Sequence, residues 1–224
     1  MTSIRTESIE VRRTALVASM GPEPGPAVRE LWYVLHGQAM RAVAFLGDCR
    51  AAEADDRLVI APEALSRFYD GPITSRDAPV AAIWMTRDER EHEISDYVAY
   101  LDTVHATILD RFGGTSPPVT ILGFSQGGST AIRWAASGHV KAAHVIVWAS
   151  SMPPEIDYAA LYEKQGQPAF TYVCGTTDIY ITPKVLDAQH AVLRAAGIPF
   201  RALAFKGGHR IDDDTLKQAA RLAG

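Results

Sequence analysis

The sequence predicts an α/β fold, a mostly parallel central sheet with helices packed on both faces. Two observations carry that expectation. From Leu31 to the carboxyl end, short apolar runs rich in β-branched residues alternate with amphipathic stretches, punctuated by glycine and proline. A helix-spaced apolar series from Ile94 to Phe112 is the longest of the amphipathic stretches, and repeated strand–helix alternation produces parallel strands.

Taken in order, Ile9 to Met20 alternate in a strand-like way and read as one or two edge strands, stopped by the prolines and glycines of residues 21–26. Leu31 to Leu35 is a short strand, and His36-Gly37 turns the chain into a helical pattern through Met40, Val43, Phe45 and Leu46. Arg57 to Ala61 is the next strand. Residues 62–88 show neither period and scatter Pro62, Gly71, Pro72 and Pro79, so they are expected to be irregular and functional. From Glu89, the residues Ile94, Tyr97, Val98, Leu101, Val104, Ile108 and Phe112 recur every three or four positions until Gly113-Gly114 closes the helix. Val119 to Leu122, Ala143 to Ala149, Phe170 to Cys174 and Phe200 to Phe205 read as strands. Further helices are expected at Gln126 to Ser137, from Thr182-Pro183 to Gly197, and over residues 212–222. The connection between residues 149 and 170 is too short for a large lid domain.

Composition narrows the function. The 224 residues are 47% hydrophobic and 21% charged, as expected of one globular domain spanning residues 1–224. Lysine and arginine number 22 against 26 acids, a net charge of −4 without a basic stripe, which argues against nucleic acid as a partner. No apolar run approaches the roughly 20 residues of a spanning helix, so no integral membrane segment is expected. The first twenty residues lack the features of a signal peptide, which makes the expected compartment cytoplasmic. Cys49 and Cys174 have no paired spacing and read as buried apolar residues, and no metal-ligand pattern is present.

Chemistry concentrates after three strands. Gly123-Phe124-Ser125-Gln126-Gly127 stands between a strand and a helix, the setting in which a tight turn lifts a serine clear of the sheet. A serine needs a base, and the base an orienting carboxylate. Asp178 follows the strand ending at Cys174, and His209 follows the strand ending at Phe205, so a parallel sheet delivers all three to one edge. Asp157 competes as the acid but lies in a looser stretch. Of the seven histidines, His92, His105, His139 and His190 read as surface or core residues, His144 as a hydrogen-bonded core residue and His36 as a tether for its loop. The backbone N–H of Gln126, at a helix start, and that of Gln38, in the turn after Leu35, are the candidate oxyanion donors.

The motifs LHGQ, GFSQGG, GTTDIYITP and GGHRID, in this order and spacing, resemble the carboxylesterase, phospholipase and acyl-protein thioesterase family of small α/β-hydrolases. The resemblance extends from Leu31 to about Ala220 and includes Trp84 and the turn Ala149-Ser150-Ser151-Met152-Pro153. It implies an α/β-hydrolase fold, with Ser125 as nucleophile, Asp178 as acid, His209 as base, and Gln38 and Gln126 as oxyanion donors. Ala39-Met40 departs from the family's glycine-acidic continuation, Cys174 stands where histidine is common, and Ser151 replaces the usual glycine.

The expected activity is cleavage of small-molecule esters or thioesters through an acyl-enzyme, without cofactor or metal. Phe68, Tyr69, Trp84, Met85, Met152 and Tyr180 are the candidate substrate-binding residues, from pocket walls at residues 68–85 and 150–162. A peptidase or carbon–carbon hydrolase on the same triad, and a silent ligand-binding module, are the alternatives. Sequence leaves open a homodimer, the acyl chain length and a redox role for Cys174.

Overall fold

The computed structural model describes residues 3–72, 77–114 and 116–222. In chain order the strands are β1 (Val17–Met20), β2 (Glu30–Leu35), β3 (Arg57–Pro62), β4 (Ser66–Tyr69), β5 (Val80–Ile83), β6 (Val119–Phe124), β7 (Ala142–Trp148), β8 (Ala169–Gly175) and β9 (Arg201–Phe205). The helices are α1 (Ala42–Asp48), α2 (Arg90–Asp110), α3 (Gln126–Ser137), α4 (Tyr158–Lys164), α5 (Pro183–Ala195) and α6 (Asp213–Arg221).

Seven strands form the central sheet in the order β1-β3-β2-β6-β7-β8-β9, and all pairs except β1 with β3 are parallel. Strands β3 and β6 are buried along their whole length because helices cover both faces, which is why they read as unbroken apolar runs. On one face Tyr33, Leu35 and Ile121 pack against α2 and α3 through Tyr97, Leu101 and Trp134. On the other, Trp32, Val34 and Leu122 meet α1 and α6 through Phe45 and Leu216. Register aligns the carboxyl edge: Leu35 lies opposite Gly123, Gly123 opposite Val147, and Gly175 opposite Phe205. The loops after β2, β6, β8 and β9 therefore leave the sheet together.

Three expectations need correction. Residues 62–88 are not wholly irregular, because β4 and β5 pair as a separate antiparallel hairpin, Ser66 opposite Ile83 and Tyr69 opposite Val80. Its four-residue strands are too short to show a period between prolines, and residues 73–76 of that stretch lie outside the described residues. The amino-terminal strand is shorter than Ile9 to Met20. Its partner β3 ends at Pro62 opposite Val17, so Ile9 and Val11 have no strand to join and stay exposed. The connection after β7 contains α4, capped by Asp157, whose Oδ1 accepts from the Ala160 amide at 3.0 Å.

That cap gives Asp157 a structural task. Asp157→Ala is expected to cost about 1 kcal/mol, a fall of roughly 2–4 °C in Tm, while hydrolysis per folded molecule stays at the wild-type rate. Thermal melts beside ester assays check both halves.

Candidate active site

The turn from β6 into α3 is set by sterics. Ser125 sits at φ 53°, in the left-handed region, where a non-glycine residue stores strain. Its amide donates to Trp148 O at 2.9 Å, and its carbonyl accepts from Gly128 N at 2.9 Å. A Cβ on Gly123 would lie 2.2 Å from Gly127 O, and one on Gly127 would lie 2.1 Å from Leu35 O. Only glycine fits either position. α3 begins at Gln126, so free N–H groups and the positive end of the helix dipole face the space beside Ser125.

Asp178 and His209 come together as their loops lie against each other. Thr176 N donates to Phe205 O and Thr177 N to Gly207 O, both at 2.9 Å, and a Cβ on Gly175 would lie 2.3 Å from Gly207 O. Asp178 is buried, and its Oδ1 accepts from the amides of Tyr180 at 2.8 Å and Ile181 at 2.9 Å. Its Oδ2 lies 2.8 Å from His209 Nδ1. Burial alone would raise the carboxyl, but the bonds from Ile181 N, the His209 ring and Tyr180 N outweigh it and hold the group below the usual carboxylate range. An ionised carboxylate only accepts, so Nδ1 carries the shared proton, which leaves Nε2 as the ring nitrogen free for other partners.

Ser125 and His209 line one cavity of about 590 Å³ with Gln38, Ala39, Gln126, Ser129, Ser150, Tyr180 and Ile181. Among the described residues no hydrogen bond joins Ser125 directly to His209. Such bonds often close only when substrate binds. The His209 ring lies 4.8 Å from that of Phe124 and 4.7 Å from that of Tyr180, which limits its rotation.

The loop after β2 is tied down by His36. The Ala64 amide donates to His36 Nε2 at 3.0 Å, so that nitrogen holds the lone pair and Nδ1–H donates to Gly37 O at 2.7 Å. Burial lowers the pKa of His36, consistent with a neutral ring. Ala39 lies at φ 61°, its amide bonded to Ala82 O at 2.9 Å, and Met40 bridges to Ala82. Ala39 thus holds a left-handed position, which glycine adopts with least strain.

Of the six pocket candidates, Tyr180 lines this cavity. Trp84 and Met152 are buried in the core, and Met85 is half-buried against it. Phe68 and Tyr69 are exposed on β4, outside the lining. Ser129 and Ile181 were not among the sequence candidates. Ser129 is four residues after Ser125 and shares its helix face, a spacing that could have revealed it. Cys174 is buried, and burial with the charge of Asp178 pushes its thiol up to about 11, so it remains an unreactive thiol. His144 bonds Thr171 Oγ1 at 2.8 Å inside the core. No cluster of three or more metal-capable side chains occurs among the described residues, and no described helix is long and apolar enough to cross a membrane.

Sheet, turn and cavity define an α/β-hydrolase, as the sequence resemblance implied. The family model described as serine hydrolase (FSH1) matches residues 42–218, and the chain belongs to that family. The match includes Ser125, Asp178 and His209 and begins after Gln38. A search of curated proteins returned no match. Solved structures with the same fold include Arabidopsis thaliana SOBER1, with a TM-score of 0.66 at 19% identity, covering 87% of this chain and 97% of that one. Zea mays acyl-protein thioesterase 2 superposes with a TM-score of 0.69 at 12% identity, over 93% and 97% of the two chains. A phospholipase/carboxylesterase from Dyadobacter fermentans gives 0.66 at 14% identity, over 95% and 97%.

Gly123→Ala tests the turn. A methyl 2.2 Å from a backbone oxygen must displace α3, so kcat should fall at least about a hundredfold and stability by several kcal/mol. Ester turnover and chemical denaturation report the two effects separately.

Proposed function

We propose that this serine hydrolase cleaves carboxylic esters or thioesters through an acyl-enzyme on Ser125. The observation that carries the proposal is the buried, ionised Asp178 fixing the His209 ring beside a strained Ser125 in one cavity. His209 Nε2 takes the Ser125 proton as Oγ bonds to the substrate carbonyl carbon, and the backbone N–H groups of Gln38 and Gln126 hold the resulting oxyanion. The proton passes from His209 to the departing alcohol or thiol. Water, deprotonated in turn by His209, then attacks the acyl-enzyme, releases the carboxylic acid and restores Ser125. Asp178 keeps Nδ1 protonated throughout, so Nε2 is always the basic nitrogen.

The family supports hydrolysis, and the similar folds of a thioesterase and a phospholipase/carboxylesterase favour ester and thioester substrates. In this reading the whole chain is one catalytic domain acting on small-molecule esters in the cytoplasm, without cofactor.

A fluorophosphonate probe tests the nucleophile. Peptide mapping is expected to find label on Ser125 and none in Ser125→Ala, with p-nitrophenyl ester turnover lost to the same extent. An unlabelled Ser125 with no ester turned over would sink the proposal. Asp178→Asn keeps the side chain's size but removes the acceptor that fixes the tautomer, and kcat should fall on the order of 10⁴-fold.

A further inference from the structure

The two proposed oxyanion amides belong to different loops, Gln38 after β2 and Gln126 at the start of α3. Their separation must be held to a fraction of an ångström to stabilise one oxygen. The Gln126 carboxamide faces away from this task and grips a third segment: Oε1 accepts from Trp84 N at 3.0 Å, and Nε2 donates to Met85 O at 2.8 Å. A flipped amide would set donor against donor and acceptor against acceptor, so the orientation is fixed by its partners. Trp84 continues the connection. Its indole Nε1 donates to His36 O at 2.8 Å, its ring lies 5.1 Å from the His36 ring, and it packs edge-on against Tyr97 at 6.1 Å. His36 in turn bonds Gly37 O through Nδ1, beside the Gln38 amide.

We infer that the Gln126 side chain and Trp84 are positioning residues, a rigid strut that sets the spacing between the Gln38 and Gln126 amides. The inference rests on the esterase reading above and deepens it. The segment after β5 thereby acquires a purpose that neither its period nor its burial revealed. The strut runs from the Gln126 carboxamide through Trp84 to His36, and every joint is a hydrogen bond of 2.7–3.0 Å. Its terminal joints are backbone groups, so side-chain motion at the surface does not transmit into it.

The test compares wild type, Ser125→Ala, Gln126→Met and Trp84→Phe by p-nitrophenyl acetate kinetics and amide hydrogen exchange. Gln126→Met is expected to lower kcat between about tenfold and a hundredfold and to change KM less than about threefold, since the oxyanion forms only in the transition state. The acid limb of its pH profile should stay in place, because the Asp178–His209 pair is untouched. Exchange should speed in the peptide carrying Ala39 and Met40, at the far end of the strut. Trp84→Phe keeps an aromatic body but lacks the N–H, and the same pattern is expected in weaker form. Unchanged kcat and unchanged exchange around Ala39 in both variants overturn the inference, as does faster exchange throughout the chain in both. If wild type turns over ester no faster than Ser125→Ala, the esterase reading fails instead, and exchange around Ala39 alone then decides whether the strut exists.

Discussion

There is no room for a methyl group where α3 crosses the end of β2. Gly127 presses on Leu35 O and Gly123 on Gly127 O, so the helix start is held at backbone contact with two strands. That crossing sets Ser125 in its strained conformation at the start of α3. The same device recurs around the edge. A Cβ on Gly128 would lie 2.4 Å from the Ser150 Cβ, and Gly175 meets the backbone of Gly207. Small residues at the seams let several loops converge on one cavity, and any added bulk would separate groups that must act together.

Electrostatics finishes what the close contacts begin. Glu63 is buried at 1% exposure and accepts from Arg41 at 2.6 Å, Arg67 at 2.7 Å and the Ala42 amide at 3.2 Å. Burial would raise its carboxyl, yet these partners hold it below the usual range. The loop bearing Gln38 is thereby clamped at both ends, by His36 on one side and by Arg41 on the other. Arg133 ties down the connection after β7 in a similar way, pairing from within α3 with Glu155 at 2.7 Å. A buried carboxylate with its partners in place is tolerable, whereas one stripped of them is strongly destabilising.

Most of the sheet and the three residues of the proposed triad were legible because their signals are local. A buried parallel strand reads as an apolar run, the turn needs glycine two residues either side of Ser125, and chain order orders the loops. What escaped depended on distant partners. The hairpin of β4 and β5 could not be read because each strand finds its partner only in three dimensions. Trp84 and Met152 resembled pocket walls because a large apolar residue looks alike in a core and in a cleft, and only burial separates the two. Asp157 and Asp178 both follow strands, and the looseness of its stretch already counted against Asp157; what escaped was that Asp157 caps a helix while Asp178 meets a histidine 31 residues later.

The buried histidines give the molecule a thermodynamic character of its own. His36, His105, His144 and His190 are all at most 9% exposed, and burial lowers the pKa of each below the ordinary 6.5. An unfolded chain would take up protons at these four positions that the native chain refuses. Their contribution to stability is therefore complete above the ordinary histidine value and erodes as pH falls through it, at up to about 1.4 kcal/mol per pH unit for each ring. His36 is the member of this set that anchors the loop carrying Gln38. Acid therefore loosens the core and the loop that His36 ties down, and the loss levels off once the pH has fallen below the lowered values of the folded rings.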